Sequence, residues 1–105
     1  MRSAIEAAEV PFPTALRERV AVNAMVPRVA PDVAAALALS SGCGTIKVKV
    51  GDEDSVDRVA AIRSACGPGV NIRLDANGAW DVDTALRMIG QLRTYDIELI
   101  EDPVA

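Results

Sequence analysis

The stretch TIKVKVGDEDSVDRVAAIRSACGPGVNIRLDANG, residues 45–78, decides the fold. TIKVKV (45–50) alternates apolar and charged side chains with the two-residue period of a strand. Gly51 breaks it, and the acidic Asp52, Glu53 and Asp54 suit a turn leading into a helix N-terminus, where the helix dipole favours negative charge. Val59, Ile62 and Cys66 then recur on one helical face until Gly67, Pro68 and Gly69 end the helix. VNIRLD (70–75) is the next strand. Strand, helix and strand of these lengths make a βαβ unit, whose strands run parallel with a right-handed crossover.

The same alternation extends in both directions. VAVNAMV (20–26) reads as a strand, and Pro31 opens an Ala-rich helix that stops near Gly42. Asp81 is placed to cap a helix whose Val82, Leu86, Ile89 and Leu92 recur at three and four residues, and IELIE (97–101) is a fourth strand. Before these, MRSAIEAAE (1–9) is helix-compatible, and Pro11 and Pro13 end it ahead of a polar stretch to Arg19, so residues 1–19 read as a lead-in. The class is α/β. Four parallel strands and three helices amount to the first half of an eight-unit (β/α)8 barrel, which takes about 250 residues. The prediction is a partial barrel over residues 20–105.

Composition narrows the chemistry. The chain has 105 residues, half of them apolar, which is enough to bury one core. A net charge of −4 with no basic segment argues against nucleic-acid binding. No run of about 18 apolar residues and no charged-then-apolar leader is present, so the expectation is a cytoplasmic chain that does not span a membrane. Cys43 and Cys66 stand apart and read as reduced structural residues. With no histidine, a general base or metal ligand has to come from Lys, Asp, Glu or a similar group, and a Ser-His-Asp triad is excluded within this chain.

One spacing selects the candidate groups. Asn23, Lys49, Asp75 and Glu101 are separated by 26 residues each (49−23, 75−49 and 101−75). Equal repeats in a parallel sheet bring equivalent positions to one edge, and barrel enzymes place their chemistry at the carboxyl ends of the strands. Strand parity also puts Lys47 and Lys49 on one face with Ile46, Val48 and Val50 on the other. Two ammonium groups roughly 7 Å apart disfavour each other's protonation, which favours a general base. Asp75, before the turn Ala76, Asn77, Gly78, is an oxygen donor suited to a hard cation. Glu101 ends the fourth strand in the same way, with Asp102 beside it as a competing ligand or a solvated residue, and Asn77 also reads as a turn residue.

TIKVKV, RLDANGAW and IEDPV, in that order and spacing, resemble the K-x-K, D-x-N and E-x-P segments of the muconate-lactonizing subgroup of the enolase superfamily. VAVNAMVPRV is also similar to the first barrel strand of the o-succinylbenzoate synthases of menaquinone biosynthesis. The resemblance implies that Lys49 is the acid/base catalyst and that Lys47 tunes it and contacts a substrate carboxylate. It further implies that Asp75 and Glu101 bind Mg2+, that Asn77 supports the site by hydrogen bonding, and that Asn23 faces the substrate. The implied reaction removes the proton next to a carboxylate and expels water to give 2-succinylbenzoate. Cycloisomerases, dipeptide epimerases and N-acylamino-acid racemases share the same lysine and metal residues, and a non-catalytic half-barrel is the alternative of a different class. Asp102 departs from the E-Q-P expected of the synthases. The family pattern also calls for a capping domain, to which residues 1–19 would lead, for a third acidic ligand on a fifth strand and for a lysine on a sixth. A missing barrel half or an oligomeric partner is therefore expected to cover the exposed edges, and the chain alone is expected to be inactive.

Overall fold

The computed structural model describes residues 23–105; the lead-in at 1–19 and the first three residues of the predicted 20–26 strand lie outside the described residues. Four strands, β1 (Asn23–Val26), β2 (Thr45–Lys49), β3 (Asn71–Asp75) and β4 (Leu99–Glu101), form one parallel sheet in the order β1-β2-β3-β4. Helices α1 (Pro31–Ser41), α2 (Ser55–Cys66) and α3 (Val82–Leu92) connect them in turn. The α/β alternation therefore has the predicted element order.

Burial follows strand parity. Val26, Ile46, Val48, Ile72 and Leu74 are buried against the helices together with Ala34, Ala38, Val59, Ile62 and Leu92. The opposite face carries Lys47, Lys49, Arg73, Asp75, Leu99 and Glu101, all at least partly exposed. The helix contact is built from small and branched side chains, which let a helix lie close on a pleated sheet.

The helix ends show how the sequence sets these boundaries. Pro31 occupies the first turn of α1, and Gly42 closes it with φ 67°, its N–H donating to the Leu39 carbonyl at 3.4 Å. Asp81 caps α3 as predicted, its carboxylate accepting from the Thr84 N–H at 2.7 Å. At the start of α2 the cap works through Ser55: its hydroxyl donates to the Asp52 carbonyl at 2.6 Å and accepts from the Gly51 N–H at 2.8 Å. Asp54, the residue before that helix, makes no side-chain cap bond.

Two expectations are corrected. On α3 the face against the core is Ala85, Met88 and Leu92, whereas Val82 and Leu86 are 63% and 65% exposed. Spacings of three and four fit two neighbouring stripes of one helix, and Ala85 allows the closer approach. The fourth strand covers only Leu99–Glu101, because Arg93–Tyr95 forms a 3-10 turn after α3 and Asp96 takes the left-handed φ of 58°. Glu98 N–H still donates to the Ile72 carbonyl at 2.9 Å, so β3 guides the chain before regular pairing begins.

Candidate active site

The site lies on the helix-free face, at the carboxyl ends of β2, β3 and β4. Lys49, Asp75 and Glu101 end these strands, and register pairs Lys49 with Asp75 and Asp75 with Glu101. Neighbouring strands lie about 4.8 Å apart, so the three side chains start as one row. Lys49 Nζ is 3.1 Å from Asp75 Oδ2 and 3.4 Å from Asn77 Oδ1. Lys47, two residues below Lys49 on the same face, reaches across β3 to place Nζ 3.6 Å from Glu101 Oε1.

Asp75 is the best enclosed of the four charged groups, with its side chain 14% exposed against 34% for Lys49. The Asn77 backbone N–H donates to Asp75 Oδ1 at 2.9 Å. That bond is the main cause holding the Asp75 carboxyl below its ordinary value; burial opposes it, and the Lys49 hydrogen bond and the Lys49 and Lys47 charges add to the lowering. Asp75 is thus a preformed anion with one oxygen fixed by the backbone and the other facing Lys49.

Asn77, read as a turn residue, has the left-handed φ of 52°, and in that conformation presents both its backbone N–H to Asp75 and its amide oxygen to Lys49. Asp102 also has a positive φ, 46°, and its carbonyl accepts from the Gly78 N–H at 2.7 Å. It therefore joins the turn after β3 to the turn after β4 through backbone.

Asn23 is not in this row. Its register partner is Thr45, four residues before Lys49 on β2 and about 13 Å away along the strand. The sequence spacing between strand equivalents is 26 from β2 to β3 and from β3 to β4, but 22 from β1 to β2 (45−23). Asn23 shares the face of the two lysines by parity while starting at the amino end of its strand.

Sequence reasoning missed the residues that fasten this edge from behind. Arg58 of α2 is 1% exposed. Its Nη1 and Nη2 donate to the two carboxylate oxygens of Asp52 at 2.7 and 2.6 Å, Nε donates to the Val29 carbonyl at 2.7 Å, and Nη1 also donates to the Lys49 carbonyl at 3.1 Å. Arg28 Nε donates to the Val50 carbonyl at 3.0 Å. A signal for Arg58 was present: it lies four residues before Ile62, on the face that must be buried, with an acid six residues upstream.

Two carboxylates on adjacent strands are hard oxygen donors that fit Mg2+ in kind, with Asp75 already ionised. Among the described residues no group of three or more His, Cys, Asp or Glu is arranged to hold a metal ion. Cys43 and Cys66 are half-buried free thiols. No helix among the described residues is long and apolar enough to cross a membrane.

The chain is similar to several known proteins. The chain is 50% identical to the o-succinylbenzoate synthase of Thermobifida fusca over 95% of its length, and 41% identical to that of Mycolicibacterium smegmatis over all of it. It spans about a third of those proteins, 33% and 34%. A hydrophobic dipeptide epimerase of Enterococcus faecalis is 48% identical over 60% of the chain and 18% of that protein. The crystal structure of dipeptide epimerase from E. faecalis V583, complexed with Mg and the dipeptide L-Leu-L-Tyr, superposes with a TM-score of 0.78 at 40% identity. That likeness covers 82% of this chain and 26% of the other. Residues 30–105 match the family described as Enolase C-terminal domain-like, and with three ordered strand-end motifs on one parallel sheet, the chain belongs to that family.

Proposed function

We propose that this chain supplies the base, its neighbouring lysine and two of the metal ligands of an o-succinylbenzoate synthase. The observation that carries this reading is the reach of the likeness in sequence: the synthases match nearly the whole chain, β1 included, whereas the E. faecalis hydrophobic dipeptide epimerase matches 60% of it.

Lys49, as the free amine, takes the proton from the carbon next to the substrate carboxylate. The electron pair left behind forms a carbon–carbon double bond as the bond to the β-hydroxyl breaks, and the Lys49 ammonium returns its proton to the departing oxygen. The net change is loss of water, leaving 2-succinylbenzoate. Lys47 places a positive charge beside the substrate carboxylate, and Asn77 holds the Lys49 end of the row. Asp75 and Glu101 would hold Mg2+, which supplies positive charge where negative charge builds up on the carboxylate oxygens. A third oxygen ligand and the opposing wall come from residues outside this chain, and they also cover the edges of β1 and β4 that no described strand pairs.

Dipeptide epimerisation is the second reading, because the same lysine and carboxylates serve it and the E. faecalis epimerase superposes closely. The test is complementation. The purified chain with Mg2+ gives no 2-succinylbenzoate, and addition of the remaining N- and C-terminal portions of the T. fusca synthase restores its formation. Turnover by the chain alone overturns the need for a completing wall. A complemented protein that epimerises dipeptides and makes no 2-succinylbenzoate establishes the second reading.

A further inference from the structure

Arg58 is a buried cation with more bonds than its own neutralisation requires. Asp52 alone balances its charge, through two short bonds in a fork-to-fork pair. The remaining N–H groups reach two main-chain carbonyls: Val29, three residues after β1, and Lys49, the last residue of β2. Ser55, the first residue of α2, holds Asp52 in turn, its hydroxyl donating to the Asp52 carbonyl at 2.6 Å and lying 3.2 Å from the carboxylate. These links run from the helix to the backbone unit whose side chain reaches Asp75 and Asn77. No apolar contact could fix that unit as narrowly, because hydrogen bonds are directional and dispersion is not.

We propose that Arg58 is a positioning residue for Lys49: clamped by Asp52, it holds the Lys49 carbonyl and thereby delivers the Lys49 side chain to Asp75 and Asn77. For its catalytic meaning the inference rests on Lys49 being the base; the geometric claim stands independently of that role. Arg63 offers a matched comparison. It is also an arginine of α2 that binds main-chain carbonyls, those of Tyr95, Gly67, Val70 and Asp96 at 2.8–3.0 Å, but it does so at the amino edge, away from Lys49.

Lys47 and Lys49 are the only lysines in the sequence, so amine acylation of the chain has two side-chain targets and Lys47 serves as internal reference. The experiment is competitive acetylation at fixed pH, with the Lys49-to-Lys47 labelling ratio read by mass spectrometry and folding checked by the near-UV signal of Trp80. In Arg58→Met the ratio rises about two- to fivefold, the size expected when a partly exposed ion pair is released. In Arg63→Met the melting temperature falls and the ratio stays at the wild-type value. An unchanged ratio in folded Arg58→Met, or an equal rise in Arg63→Met, overturns the proposal. Should Arg58→Met fail to fold, Asp52→Asn decides: it frees the guanidinium from its charged clamp while leaving an oxygen acceptor, and the ratio moves in the same direction by a smaller factor. An unchanged ratio there refutes the clamp. If Lys49→Met leaves dehydration intact in the complemented enzyme while the ratio still responds to Arg58, the functional reading fails and the positioning claim holds.

Discussion

Replacing Gly51 by alanine tests the packing behind the candidate site most severely. Gly51 has φ 119°, a conformation that L side chains rarely adopt, and a Cβ there would lie 2.7 Å from the Ala79 Cβ, 2.7 Å from Arg28 Nη2 and 3.3 Å from the Ala76 carbonyl oxygen. The backbone conformation alone costs about 1–3 kcal/mol. Arg28 can swing aside, giving up its bond to the Val50 carbonyl at about 1 kcal/mol. Ala79 has no such freedom, because its N–H is bonded to the Ala76 carbonyl at 3.0 Å in the turn that follows Asp75; crowding it adds about 1–3 kcal/mol. The expected loss is about 3–7 kcal/mol, a large share of the 5–15 kcal/mol typical of a domain. Urea unfolding followed by fluorescence of Trp80, the single tryptophan and only 6% exposed, measures it. A loss under about 1 kcal/mol would refute the reasoning, since it would mean that neither the positive φ nor the Ala79 contact constrains the turn.

Three further outcomes follow from the same structure. In the complemented enzyme, Lys49→Met lowers kcat by about 10²–10⁴-fold, the worth of a general acid/base, and primary deuterium substitution at the α-carbon checks that proton removal is the affected step. The Arg58 guanidinium holds the Asp52 carboxyl down at about 2 from its ordinary 3.8, so this pair's stabilisation is present above pH 3.8 and disappears as pH falls through 2. Because the Asp52 side chain is 30% exposed, the contribution is about 1–2 kcal/mol, and Asp52→Asn should flatten the urea midpoint over that pH window. Ile72→Ala, at a fully buried position in the centre of the sheet, should cost about 2–5 kcal/mol by calorimetry without altering the acetylation ratio of the two lysines.

Much of the architecture was legible because period and punctuation agree locally. The two-residue alternation of TIKVKV sets which face each lysine takes, and Pro31, Gly42 and Asp81 mark helix boundaries where the structure has them. The row of Lys49, Asp75 and Glu101 follows from equal repeat lengths, which hold from β2 to β4. Asn23 fails for a reason spacing alone does not reveal. Between β1 and β2 the connection is four residues shorter in register, so the 26-residue rule carries Asn23 to the wrong end of its strand, and Pro27 is the residue that comes level with Lys49. On α3 the same kind of ambiguity arises in rotation rather than translation: Val82 and Leu86 satisfy the helical period as well as Ala85 and Met88 do, and only contact with the sheet selects between them.

Arg58 shows a different limit. Hydrophobic patterning describes α2 through Val59 and Ile62, which are fully buried beneath the middle of the sheet, but it treats arginine as a surface residue. The Val29 carbonyl, past the end of β1, and the Lys49 carbonyl, at the end of β2, both take a donor from Arg58, and an apolar side chain at position 58 would offer them none. A guanidinium supplies several donors from a single rigid group, and Asp52 removes the cost of burying its charge. The apolar half of α2 therefore fixes how closely the helix lies on the sheet, while its polar first turns fix where the end of β2 points. Since the side chains of the candidate site stand at strand ends, the second constraint is the one on which the position of Lys49 depends.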